Sequence, residues 1–326
     1  MTATTSPEPS HDLGGDPRAR GTDLGFRGLV TVAGLTVLAV LGLILVTTTM
    51  RAMPAFQEEG LLGFIAGARW APNDDVFGTL PMLYGTLVTS LIGMVFAVPV
   101  SIGIALFTTE VSPRRARKYI VTVVDLLATV PSVVFGLVGV LVVVPFITPG
   151  YQWFAELVSP VPALSPIFAD TNTGRNHFTA GMVLAIMVIP IVTSISREVF
   201  ATVPETDKQA AYALGATRWE MIKGAMLPHS FGGLVGASML GLGRAMGETI
   251  AVALVVGGSF HISASVFETG NTMAAVIAQQ WGESSGLHTD ALIGIGVLLF
   301  AITVIINFIA RWVVRRAEIK MKGAAS

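Results

Sequence analysis

Residues 203–228 read VPETDKQAAYALGATRWEMIKGAMLP, and this stretch decides how the rest of the chain is understood. Pro204 suits a first helical position, and Glu205 and Asp207 favour a helix N-terminus. Gly215 suits the end of that helix. Thr217 and Glu220 have capping-box spacing and start a second short helix. Pro228 marks the passage into the next segment. The expected object is a pair of short helices meeting at a glycine elbow, too short and too polar to cross a bilayer. Small residues at Ala210, Ala211, Ala213 and Gly215 let another surface come close to the backbone, and Trp219, Met221 and Ile222 add apolar bulk. By composition alone, an amphipathic loop lying on the bilayer remains an equal alternative.

On either side of this loop the chain turns apolar. Crossing about 30 Å of hydrocarbon takes about 20 mostly apolar residues. Outward from the loop, spans are expected near 178–200 and 229–257, then 119–146, 84–107 and 28–50 before it, and 290–313 after it. The composition agrees: 52% of the 326 residues are hydrophobic, 13% are charged, and the mean hydropathy is +0.71. Soluble domains carry about 25% charged residues. The first residues, 1–25, are rich in Ser, Thr, Pro, Gly and Asp and are expected to be a disordered tail. Residues 26–318 form the membrane domain, with 204–228 as its long loop and 319–326 as a second tail.

Lysine and arginine orient the spans. Sixteen of the 20 cations fall on the side of the loop and both termini, and only Arg51, Arg69 and Arg175 on the other. By the positive-inside bias both termini and the loop are cytoplasmic. Trp70, Trp153 and Trp281 lie on the opposite side and suit an interfacial belt. With no cysteine, thiolate metal sites and disulfides are excluded. No GxxxxGK[ST] phosphate loop occurs, no metal-ligand spacing is visible among the histidines, and no cofactor is expected in the chain.

One cation remains. Arg244 follows Pro228 by 16 residues, which sets it about 24 Å along a helix and deep in the bilayer. Ionisable residues inside a membrane are costly and mark function by default. On a continuous helix Arg244 and Glu248, at i and i+4, share a face and can pair; either they only neutralise each other, or Arg244 meets an anion. Thr249 lies beside them. Gly232 with Gly236, and Gly243 with Gly247, fit close helix packing. Prolines 99, 131 and 190 fall within spans, and Thr129 and Ser132 flank one of these kinks, where they either line a polar path or satisfy the backbone.

The loop resembles the EAA loop of ABC-importer permeases: Ala210-Ala211, Gly215 and Leu227-Pro228 match that pattern, while Gln209 stands where the family has Glu. Gln can still donate and accept hydrogen bonds. The stretch 240–249, LGLGRAMGET, is similar to the signature of phosphate-importer permeases; 128–136, ATVPSVVFG, fits the same family, and Trp70-Ala-Pro with 77–87, FGTLPMLYGTL, resembles its PstC type rather than PstA. The resemblance covers roughly residues 60–315. It implies an all-α integral membrane fold of the type I ABC-importer class, with six transmembrane helices and a cytoplasmic coupling helix, in the cytoplasmic (inner) membrane. It also implies partners: a second, PstA-like permease, two copies of a PstB-like ATPase, and an external PstS-like phosphate-binding protein. By their depth and their place beside the kink, Arg244, Glu248, Thr249, Thr129 and Ser132 are candidates for translocation. Gln209, Ala210, Ala211, Gly215, Ala216, Thr217, Trp219 and Pro228 are candidates for ATPase coupling. A permease for another oxyanion, molybdate or sulfate, and an ion-driven transporter are the alternatives.

Overall fold

The computed structural model describes residues 17–169 and 173–323, with side chains over 25–169 and 173–316. Most of the expected tail, residues 1–16, lies outside the described residues, as do 324–326. The first helix, α1 (Pro17–Ala66), starts inside the stretch expected to be tail and bends at Gly60, where φ is +70°. Residues up to 50 form one unit and those from 51 onward another. In the first unit the hydroxyls of Thr31, Thr36, Thr47 and Thr48 donate to carbonyls four residues back. Those hydroxyls are thereby satisfied within the helix on an otherwise apolar rod.

The second unit continues with a minimal antiparallel hairpin, β1 (Trp70–Ala71) and β2 (Val76–Phe77). Helix α2 (Leu80–Leu106) ends in a π-helical turn, Phe107–Val111. Then come α3 (Arg114–Thr129), α4 (Ser132–Val138), α5 (Val144–Val158) and α6 (His177–Ala201). The elbow contains α7 (Glu205–Ala213) and α8 (Arg218–Met221), which passes through a π-helical turn, Ile222–Met226, into α9 (Leu227–Gly247). The chain closes with α10 (Ile250–Val255), α11 (Met273–Gln280) and α12 (Leu287–Gly323). Six helical stretches among the described residues are long and apolar enough to cross a membrane.

Helices α2 and α6 run parallel in close contact. A Cβ on Gly93 would meet the Gly181 carbonyl at 3.2 Å, and one on Gly181 would meet Ile92 at 2.5 Å. Lower down, Ser101 donates to the Ile189 carbonyl at 3.2 Å. Helix α9 runs antiparallel along α6. Its Gly233 lies on Val199, and its Gly241 on Val188 and Val192. Gly236, Gly243 and Gly247, expected from spacing to pack, have nothing within 4 Å; Gly236 and Gly243 instead line a groove of about 760 Å³ between α9 and α12, with Gly232, Asn307, Arg311 and Arg315. The spacing rule finds small residues, but the side of the helix that the neighbours occupy decides which of them are used.

Three apolar clusters are stacked along the bundle. One, at the hairpin end, holds Phe64, Trp70, Phe77, Met82, Met273 and Leu292. The central one joins α6, α9 and α10 through Val188, Val192, Ala245, Val252 and Val255. The third lies under the elbow, with Ala105, Phe200, Val203, Met221, Ile222 and Met226. Trp70, expected at the membrane interface, is buried: its Nε1 donates to Gln280 Oε1 at 3.0 Å and its ring contacts Phe77. Trp153 and Trp281 are exposed.

Candidate functional site

Two sites follow from the candidate residues, one at the elbow and one in the middle of the spans. At the elbow, α7 begins one residue after Pro204, with Glu205 and Asp207 in its first turn. It ends in a Schellman arrangement. Gly215 has φ +83°, its N–H donates to the Tyr212 carbonyl at 2.9 Å, and the Ala216 N–H to the Ala211 carbonyl at 3.1 Å. A left-handed residue is needed there, and glycine adopts that conformation without the Cβ penalty. The capping box that starts α8 is formed in both directions. The Glu220 N–H donates to Thr217 Oγ1 and the Thr217 N–H to Glu220 Oε2, the latter at 2.8 Å. Pro228, in the first turn of α9, has no N–H to give, and the wide turn 222–226 immediately precedes it.

The two faces of the elbow differ. Inward, Met221, Ile222 and Met226 are buried, and Ala211 packs against their cluster. Outward, Gln209, Ala210, Gly215 and Thr217 are exposed, and Ala216 is half-buried. Large apolar side chains share that exposure: Leu214 at 90%, Trp219 at 62% and Tyr212 at 45%. Tyr212 and Leu214 were not singled out by sequence, because an apolar residue in an amphipathic segment carries no sign of which way it points. Their exposure beside Trp219 makes an apolar tip that a partner surface can cover.

The mid-span site centres on the end of α9. Gly241 rests on Val188 and Val192, which bracket the midpoint of the 25-residue α6. Arg244 is one turn further on, so it lies near the middle of the span. Helix α9 then ends at Gly247; Glu248 is extended at φ −70°, ψ 129°, and α10 starts only at Ile250. The expectation that Arg244 and Glu248 pair on one helix face is therefore corrected. The break removes the i,i+4 relation, and no ion pair joins them. Among the described residues neither side chain has a hydrogen-bond or ion-pair partner. Arg244 is exposed, in the last turn of α9, where a cation meets the negative end of the helix dipole. Glu248 is buried, at 8% exposure. Thr249 is half-buried, and its hydroxyl donates to the Gly247 carbonyl at 3.2 Å.

A second break lies at a similar level. The expected span 119–146 is interrupted at Val130–Pro131, both extended, which divides it into α3 and α4. Gly139 touches Val183 of α6, and Ser132 begins α4 seven residues earlier, about 10 Å nearer the elbow end and close to the α6 midpoint. Helix α4 packs on α10, with Gly136 against Ala251 and Leu254. Thr129 is exposed and donates to the Leu126 carbonyl at 2.7 Å, so its hydroxyl serves the helix end. Ser132 is half-buried. Irregular backbone at membrane depth is tolerated where protein or a polar cavity covers it. Two such breaks, with an unpaired cation and a buried carboxyl beside one of them, make an arrangement able to receive an anion.

Residues 97–319 match the family of binding-protein-dependent transport system inner membrane components. A phosphate transport system permease protein PstC from Xylella fastidiosa is 40% identical over 322 residues, covering 98% of this chain and 99% of the relative. The protein of the same name from Mesorhizobium japonicum is 38% identical, covering 91% of each chain. The fold is similar to that in the crystal structure of a bacterial ABC transporter involved in the import of the acidic polysaccharide alginate. The TM-score there is 0.54 at 18% identity, with 91% of this chain and 99% of that chain covered.

Proposed function

The chain belongs to the binding-protein-dependent transport permeases, in the branch of the phosphate transport system permeases, and we propose that it conducts inorganic phosphate through an ATP-driven importer. The observation that carries this reading is Arg244, a guanidinium near mid-span, beside a helix break, with no partner among the described residues. An intramembrane cation is costly unless it meets an anion or a polar cavity. The guanidinium stays charged, and its planar fork matches the oxygens of phosphate. Glu248, buried four residues on, keeps the empty region closer to neutral without holding Arg244 in a pair. Thr249 and Ser132 supply hydroxyls at the two breaks.

The chain performs no bond chemistry. ATP is hydrolysed by two copies of a PstB-like subunit docked on the elbow, of which one contacts this chain at Gln209, Ala210, Gly215 and the exposed Leu214 and Trp219. A PstA-like permease completes the path, and a PstS-like protein delivers phosphate from outside. ATP-driven closure rocks the helices between outward and inward access. Sixteen of 20 lysines and arginines on the elbow side support an orientation with the elbow and both termini in the cytoplasm.

The test is uptake of labelled phosphate by vesicles that carry the four-component complex, with molybdate and sulfate as competitors. ATP-dependent phosphate uptake that is lost in Arg244→Ala, in a complex that still assembles, is the expected result. Uptake of molybdate or sulfate in preference to phosphate would overturn the cargo, and an unimpaired Arg244→Ala would remove Arg244 from the path.

A further inference from the structure

The two halves of the elbow are attached to the bundle by different means. Helix α8 and the turn after it are held by buried apolar side chains, Met221, Ile222 and Met226. Helix α7 has no buried residue. Its apolar contact is the half-buried Ala211, and its polar one is Lys208. Lys208 Nζ donates to Glu110 Oε1 at 2.6 Å, and Glu205 Oε2 lies 3.8 Å away. The Lys208 and Glu110 side chains are each 13% exposed, whereas Glu205 is 70% exposed. The pair is thus largely withdrawn from water, while the carboxylate that flanks it remains solvated. Exposed ion pairs contribute little, but a desolvated one is costly to break from one side.

Glu110 sits in the π-helical turn that ends α2. That turn is firmly built: Thr108 donates to the Ile104 and Ala105 carbonyls, and Thr109 to that of Ala105. Helix α2 in turn lies along α6 through Gly93, Gly181 and Ser101. A load on α7 therefore reaches α2, and the long α2–α6 contact behind it, through this short directional link as well as through the non-directional apolar packing of Ala211. The fold of the elbow does not depend on that link, because the apolar cluster already anchors α8.

We propose that Lys208 and Glu110 are a positioning pair, a strut that makes the ATPase-docking helix and α2 move as one body. The proposal rests on reading the elbow as the ATPase dock. Without the strut, α7 can shift when the ATPase closes while α2 stays behind, so hydrolysis continues and transport lags.

The experiment uses the complete complex in vesicles and measures phosphate uptake and ATP hydrolysis together. The variants are Lys208→Met, Lys208→Arg, Glu110→Gln and the exchanged pair Lys208→Glu with Glu110→Lys. In Lys208→Met and Glu110→Gln, ATP hydrolysed per phosphate moved should rise about 5-fold or more, the scale on which substitutions along a coupling route act. Lys208→Arg and the exchanged pair should return the ratio to within about twofold of wild type. An unchanged ratio in both single variants overturns the strut. So does a raised ratio that the exchanged pair leaves raised, or a failure of both single variants to assemble, which would make the pair a fold element. A wild-type complex that carries no ATPase on the elbow overturns the docking reading itself, whereas a coupled wild type with indifferent variants overturns the strut alone.

Discussion

The elbow and the mid-span break differ in what holds their backbone. The turn and cap features that set the backbone of the elbow are local. Gly215 is left-handed, the Ala216 N–H reaches back five residues, and Thr217 and Glu220 satisfy each other across three. The break after Gly247 has no such grammar. No proline stands there, and Glu248 leaves the helix without a side-chain cap. What continues beyond it is α10, held by distant partners: Gly136 on α4 lies against Ala251 and Leu254, and Val255 lies against Gly139. One region is written in its own residues, and the other in residues more than a hundred positions away. Substitutions should therefore fail differently in the two places, with the elbow losing its partner and the break losing its cargo.

The largest effect is expected at the break. Arg244→Ala should lower ATP-driven phosphate uptake about 10- to 150-fold, the factor that about 1.5–3 kcal/mol for a charge-assisted hydrogen bond implies. ATPase should still co-purify at the wild-type ratio. Arg244→Lys should recover only part of the rate, because an ammonium is a point charge without the planar fork. If Arg244→Ala also shed the ATPase, the separation between the two regions would be lost.

The converse substitution belongs to the elbow. Trp219 is 62% exposed and touches no buried cluster, so Trp219→Ala should leave the stability of the subunit unchanged. It should weaken ATPase binding about 30-fold, matching about 2 kcal/mol for an aromatic anchor at an interface. Titration of the detergent-solubilised permease pair with the ATPase gives both numbers, and unchanged affinity would mean the apolar tip has another use.

How far each region was legible follows from the same contrast. The six apolar stretches, the glycine elbow and the capping box stand in the sequence, because apolar runs and turn residues act over a few positions. Trp70 was misplaced at the interface, because its burial depends on Phe77 and on Gln280, 210 residues away. The possible Arg244–Glu248 pair rested on a continuous helix, because an apolar span reads as one helix. Lys208 and Glu110 are 98 residues apart, and nothing at either position announces the other. Thr129 shows the opposite case, where a hydroxyl that read as either path or backbone serves the backbone.

The glycines of α9 sharpen the comparison at a smaller scale. A methyl on Gly241 would come 2.7 Å from Val192 and 2.8 Å from Val188, whereas one on Gly236 meets nothing. Gly241→Ala should cost about 1–3 kcal/mol through overpacking, and Gly236→Ala should be neutral in the isolated subunit. Thermal unfolding in detergent separates them. A loss at Gly236 that appears only in the assembled importer would identify the α9–α12 groove as a surface the partner permease covers.

The smallest effect is the most local. Thr217→Ala removes the hydroxyl that caps α8 and leaves Glu220 with only the backbone N–H to accept from. Caps of this kind contribute about 1 kcal/mol. Because Met221 and Ile222 are buried just beyond, the bundle should stay folded and the loss should appear as fraying of α8. Hydrogen exchange of the Glu220 amide should quicken about 5-fold, the factor that about 1 kcal/mol implies, while amides around Arg244 keep their rates. Thr217→Ser, which retains the acceptor oxygen, should restore protection. An exchange rate that rises equally at both places would mean that the elbow and the break unfold as one cooperative unit, and that the locality of the elbow ends with its backbone geometry.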